Sequence, residues 1–197
     1  GSRDMRKVSL EDIAGPSRYG EMRDEFRQRI IALKRHRRVS VGDLVTLVFE
    51  NFDTVLFQTQ EMLHVERITD FDRVREELAV YNELLPGQDE LSATLLIEIT
   101  EQAAVAERLR RLIGIDEHVC LRVGGAAFRA HFEPGRSTAE KLSAVHYVRF
   151  RLSPEAVADF VSGGVEIELT IDHPDYQAST TLDAHQRGSL AADLSAA

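Results

Sequence analysis

A chain of 197 residues, 43% of them hydrophobic, is long enough to bury one sizeable core. Its formal net charge of −9 speaks against general binding to the phosphate backbone of nucleic acids, which demands a basic face. The single cysteine, Cys120, excludes an internal disulfide and any metal cluster held by this chain's thiolates alone.

No run approaches the roughly 20 apolar residues that span a bilayer. No apolar stretch follows the polar N-terminus to make a signal peptide, so a cytoplasmic protein is expected. Gly1-Ser2 reads as a cloning remnant. Ser9-Leu10-Glu11-Asp12 can cap a short helical turn, and Pro16 suits the first position of a longer helix. Met22, Phe26, Ile30 and Leu33 recur at steps of three and four and give that helix one apolar stripe. Lys34-Arg35-His36-Arg37-Arg38 closes it. Cations are favoured at a helix C-terminus, and the alternative, a phosphate or RNA contact, sits poorly with an acidic chain.

Val41-Gly42-Asp43 makes a turn, and residues 44–50 read as a central strand. Asp53 is the expected N-cap of a helix reaching Ile68. Asp70 or Asp72 caps the next helix, which stops at Leu84-Leu85 before Pro86-Gly87. A strand over 91–99 and a helix over 102–113, closed by Gly114, follow. Residues 118–123 and 126–133 alternate around Gly124-Gly125, a two-residue hairpin turn. Ser137-Thr138-Ala139-Glu140 has capping-box spacing, and 144–152 is a strand. Ser153-Pro154 opens a short helix ending at Gly163-Gly164, and 165–172 and 176–182 form a last hairpin across His173-Pro174.

From Asp183 onward the chain is small and polar, and a frayed tail over 183–197 is expected. No repeat or linker divides residues 5–182. The order of elements favours a single α+β domain with a largely antiparallel sheet of about six to seven strands and helices packed on one face.

Three places could carry chemistry. Glu61 and His64 stand three apart on a helix and share a face, so together with His146 they are candidate metal ligands. Against this stands the simpler picture of a solvated Glu and His side by side. The alternation of 144–152 puts His146 on the core side with Val148 and Phe150, and turns Tyr147, Arg149 and Arg151 the other way. If the helices after residue 52 cover that side, Gln58, Gln60, Glu61, Tyr81, Asn82 and Glu83 supply its neighbours. His146, Glu61 and Tyr81 are then the catalytic candidates around a polar pocket. A hydrogen-bonded core histidine is the plainer alternative. Arg136, Ser137 and Lys141 surround a helix start that could hold an anion. The charged hairpin face with His118, Arg122, Arg129 and His131 reads as solvated, or as a surface for a partner or a second copy of the chain. Cys120 lies mid-strand and reads as structural. No cofactor motif is evident, and no P-loop or nucleophile elbow is present.

Six phrases carry a resemblance: FEN-x-DTV-x-FQ-x-QEM (residues 49–62), YNELLPG (81–87), ELSATLLIE (90–98), FEPGRS (132–137), SAVHYVRF (143–150) and DHP-x-Y (172–176). Together they resemble the bacterial "domain of unknown function 3501" family over nearly the whole chain. Members of that family are often encoded beside rubrerythrin-like di-iron proteins and cysteine-rich iron–sulfur proteins. The resemblance therefore implies an accessory protein that docks to such a partner in a redox or peroxide-defence system. It brings no catalytic residue to this sequence. The alternative is a small-molecule or metal-binding enzyme built around His146, Glu61 and Tyr81.

Overall fold

A computed structural model describes residues 5–135, 138 and 141–195. The helices are α1 (Pro16–Lys34), α2 (Phe52–Val65), α3 (Phe71–Asn82), α4 (Val105–Arg111), α5 (Pro154–Ser162) and α6 (Ala184–Ser195). The strands are β1 (Arg38–Val41), β2 (Val45–Phe49), β3 (Glu90–Ile97), β4 (Val119–Val123), β5 (Ala126–Arg129), β6 (His131–Phe132), β7 (Val145–Arg151), β8 (Ile167–His173) and β9 (Tyr176–Thr181). The class is α+β and the strand pairs among the described residues are antiparallel, as the pattern predicts.

The strands divide between two sheets, of order β1-β2-β3-β7-β6 and β5-β4-β8-β9, where the sequence suggests one. Leu47, Phe49, Leu91, Leu95, Val148 and Phe150 of the first sheet and Leu121, Val123, Leu169 and Ile171 of the second belong to one continuous core. Alternation makes such faces, and two of them stack to exclude water. The first sheet is covered on its other face as well. Every residue of β2 is buried, which is the signature of a strand between two layers. The second cover is helical: α2 and α3 build their own apolar cluster from Val55, Leu63, Val74 and Leu78. Buried Glu50 pins the layers, its Oε2 accepting from Thr54 Oγ1 of α2 at 2.5 Å and its Oε1 from Thr94 Oγ1 of β3 at 2.9 Å. Ser92 Oγ donates to Leu84 O at 2.6 Å across the same layer boundary.

Local chemistry sets the element ends. Asn51, not Asp53, caps α2. Its Oδ1 accepts from Thr54 N at 3.0 Å while Thr54 Oγ1 accepts from Asn51 N at 2.9 Å, a reciprocal box that a residue at position 53 could not close. Asp70 caps α3, its Oδ1 accepting from Asp72 N at 3.0 Å. The Gly124-Gly125 hairpin joins β4 and β5 as expected. His173 shapes its turn by accepting from Asp175 N at Nδ1, 3.0 Å, and its Nε2 donates to Ile113 O at 2.8 Å.

The frayed tail is corrected. Residues 184–195 form α6, and Leu190 joins the main core. The helix is anchored by a buried ion pair, Asp193 to Arg37, at 2.5 Å. The basic run is likewise dispersed rather than gathered into an anion patch: Lys34 ends α1, Arg37 is buried against α6, and Arg38 begins β1. Among the described residues no helix is long and apolar enough to cross a membrane.

Candidate functional site

His146 is buried at 1% exposure on the same face of β7 as Val148 and Phe150, as its strand phase predicts. Its surroundings are not those expected. That face meets the second sheet, while α2 and α3 cover the opposite face, where Arg149 donates to the carbonyls of Leu85 and Glu83. The imidazole Nε2 lies 2.6 Å from Ser143 O, Phe132 stands edge-on at 5.4 Å, and Leu95 is the cross-strand neighbour. His146 therefore does not share a pocket with Glu61 or Tyr81, and the three candidate metal ligands do not converge. Among the described residues, no group of three or more His, Cys, Asp or Glu side chains could hold a metal ion.

Several of the helix polar groups are structural. Gln60 grips the segment before α1, its Oε1 accepting from Ala14 N at 2.6 Å. Asn82 pairs with both backbone groups of Val8, each at 2.9 Å, in the manner of a strand partner. These two amides clamp residues 8–14 along α2 and α3.

That clamp creates a cleft. Residues 10–16, the start of α1, the end of α2 and the start of α3 enclose about 700 Å³. Its walls are largely apolar, from Leu10, Ile13, Leu63, Ile68, Phe71 and Val74. One wall is polar and comes from two helices. Tyr19 and Arg23 stand four apart on α1, and Glu61 and His64 three apart on α2, so each pair shares a face. Arg23 donates from Nε and Nη2 to the two oxygens of Glu61, both at 2.9 Å, a fork on a carboxylate. The Tyr19 hydroxyl donates to Glu61 Oε2 at 2.6 Å. Arg23 Nη1 lies 3.4 Å from His64 Nε2, and the His64 ring stands edge-on to Tyr19 at 5.6 Å.

The electrostatics follow from these contacts. The hydrogen bond from Arg23 holds the Glu61 carboxyl below its ordinary range, against the opposing effect of burial. Burial, with the adjacent Glu61 carboxylate, pushes the Tyr19 phenol well up. Glu61 is thus a charged brace with both oxygens committed, rather than a metal ligand waiting for a cation.

Tyr81 lines a second cleft of about 490 Å³ with Gln58, Glu83, His131, Tyr147 and Arg149, and burial raises its phenol. Much of its charge is tied down: Arg149 and Arg151 both pair with Glu90. Of the anion-site residues, Arg136 and Ser137 lie outside the described residues. Lys141 is exposed, and its backbone N accepts no ligand role because it already donates to Thr138 Oγ1 at 3.0 Å. On the second sheet Arg122 and Arg129 are exposed, as a solvated face requires.

Sequence reading missed Tyr19, Arg23 and Arg67 as site residues. The Tyr19–Arg23 spacing was legible on α1, but nothing local says which helix faces it.

These elements define an α+β protein with a two-sheet antiparallel sandwich, one sheet of which carries a helical layer that holds the cleft. A family model described as "Protein of unknown function (DUF3501)" matches residues 7–194, and the chain belongs to that family. It is similar to a solved structure, a novel protein of unknown function from Burkholderia pseudomallei K96243. That protein shares 35% sequence identity with it, at a TM-score of 0.89 over 96% of this chain and 100% of the other. No curated protein matches.

Proposed function

We propose that this protein binds a small, largely apolar molecule in the cleft between α1, α2 and α3. The observation that carries the reading is the cleft itself: about 700 Å³, apolar on most sides, with one ordered polar wall. Ligand sites combine these features, apolar area for affinity and a few fixed polar groups for orientation. The brace of Tyr19, Arg23 and Glu61 is already satisfied internally, so it shapes the wall without demanding a ligand of its own. Binding of the neutral fluorophore N-phenyl-1-naphthylamine tests the reading. Saturable one-to-one fluorescence is expected from the native protein and its loss from Thr69→Trp, which fills the mouth from an exposed lining position. Equal signal from both proteins would place the dye elsewhere and sink the reading.

A second reading, an accessory protein that docks to a rubrerythrin-like or iron–sulfur redox partner, is favoured by the cleft's rim. Val65 and Phe71 line it and are 66% and 69% exposed, an unusual placement for large apolar side chains. Co-purification with a partner encoded beside the gene tests this; no complex at micromolar concentration, or a complex unaffected by Phe71→Ser, would count against it.

A further inference from the structure

We propose that the molecule taken by this cleft is an amphiphilic anion, and that Arg67 receives its charged head. The inference rests on the reading of the cleft as a small-molecule site. In a chain of net charge −9, the ionisable side chains that line the cleft are Tyr19, Arg23, His64 and Arg67, and the one carboxylate that touches them, Glu61, is neutralised by Arg23. Glu66 and Asp70 are close in sequence but lie outside the lining, and Asp70 is occupied in capping α3.

The three basic groups are not equivalent. Arg23 is committed to Glu61 through both arms of its fork, so that pair adds no net charge to the wall. A guanidinium can only donate, so His64 accepts at Nε2 and carries its proton on Nδ1, which has no partner among the described residues. Arg67 lines the cleft and its guanidinium has no hydrogen bond or ion pair among the described residues. The cleft thus offers one uncompensated cation and one uncommitted N–H beside an apolar chamber. That combination matches a molecule with an apolar body and an anionic head.

Arg67 is also held in an unfavourable backbone conformation. It follows Glu66, the C-cap of α2, at φ 54°, with Arg67 N donating to His64 O at 3.3 Å and Ile68 N to Leu63 O at 2.9 Å. This is the helix-ending geometry in which glycine is the favoured residue, because a Cβ is crowded there. An arginine at that point carries a cost in stability, and its guanidinium makes no hydrogen bond or ion pair among the described residues to set against it. Strain of this kind collects at binding sites.

Calorimetric titration of the full chain with three eight-carbon probes tests the assignment: octanoate, octyl phosphate and 1-octanol. At least one anion is expected to bind about tenfold more tightly than 1-octanol, the scale of one charge-assisted hydrogen bond. Arg67→Gly should abolish that preference and raise the melting temperature. Octanol binding as tightly as both anions, or a preference that survives in Arg67→Gly, would overturn the assignment while leaving the cleft as a ligand site. A lower melting temperature for Arg67→Gly would show that Arg67 supports the fold and would also overturn it. Failure of all three probes and of the neutral fluorophore would remove the underlying reading together with this one.

Discussion

Removing the carboxylate of Asp193 should destabilise the protein by about 3–5 kcal/mol, the usual cost of leaving a buried charge without its partner. Arg37 is 1% exposed and its donors are fully used. Nε donates to Phe49 O at 2.9 Å, Nη2 to Glu50 O at 3.1 Å, and Nη1 to Ser189 O and Oγ, both at 3.2 Å. Asp193 supplies the only countercharge in that set, at 3.2 and 2.5 Å. In Asp193→Ala the four neutral acceptors remain, but the guanidinium is left charged in a site that water does not reach. For a chain of this size each kcal/mol is worth about 2–4 °C, so the melting temperature should fall by about 6–20 °C. Burial pushes the Asp193 carboxyl up despite the guanidinium, so desolvation consumes much of what the pair gains. The double variant Arg37→Met/Asp193→Leu should therefore recover part of the loss, the remainder being the carbonyls of Phe49 and Glu50 left without this donor. Chemical denaturation of the native protein, Arg37→Met, Asp193→Leu and the double variant measures the coupling directly. A loss below about 1 kcal/mol for Asp193→Ala would refute the docking of α6 through this buried pair.

Other consequences are open to measurement. Gly42 stands at φ 77° with Tyr176 packed over it, and a Cβ there would run into the Tyr176 hydroxyl. Gly42→Ala should therefore cost more than the roughly 1–2 kcal/mol of a left-handed alanine, and a neutral melting curve would refute the packing. Tyr176→Phe removes a hydroxyl that donates to Val41 O at 2.5 Å and accepts from Leu44 N at 3.1 Å, tying the second sheet to the β1–β2 turn. A loss of about 1–3 kcal/mol is expected by denaturation. His146→Leu should cost a similar amount, about 1–3 kcal/mol, because Ser143 O loses its partner inside the sandwich; no change would place the ring in solvent. Glu61 titrates below its ordinary 4.5 in the folded state, so its contribution is complete above that pH and is lost as pH falls through the lowered value. Glu61→Gln should lower stability at pH 7 and flatten the acid limb of the stability profile; an unchanged slope below about pH 4.5 would refute the brace.

Much of the local structure is written in the chain. Pro16, the Gly124-Gly125 turn and Ser153 mark element ends through chemistry confined to a few residues, and each stands where its pattern puts it, while the cap of α3 falls to Asp70 of the two aspartates the pattern offers. His146 shows where that reasoning stops. Alternation identifies which side of β7 it occupies, but both sides of that strand are covered, and nothing in residues 145–151 says which layer lies on which. Gln60, Glu61 and Asn82 show the same limit from the helices. The sequence offers them as neighbours of His146, yet two serve as backbone clamps for residues 8–14 and one as the partner of Arg23. Tyr19 and Arg23 gain meaning only when α1 lies against α2.

The sequence by itself determined the class, most of the order of elements and their antiparallel habit, because helical and strand periods and turn chemistry act over a few neighbouring residues. The tertiary structure alone decided that the strands part into two stacked sheets, that α6 docks through a pair 156 positions apart, and that a cleft opens beside Glu61 rather than beside His146. The reason is physical: a pattern of apolar side chains states how much surface must leave water, and only the meeting of distant segments states what will cover it.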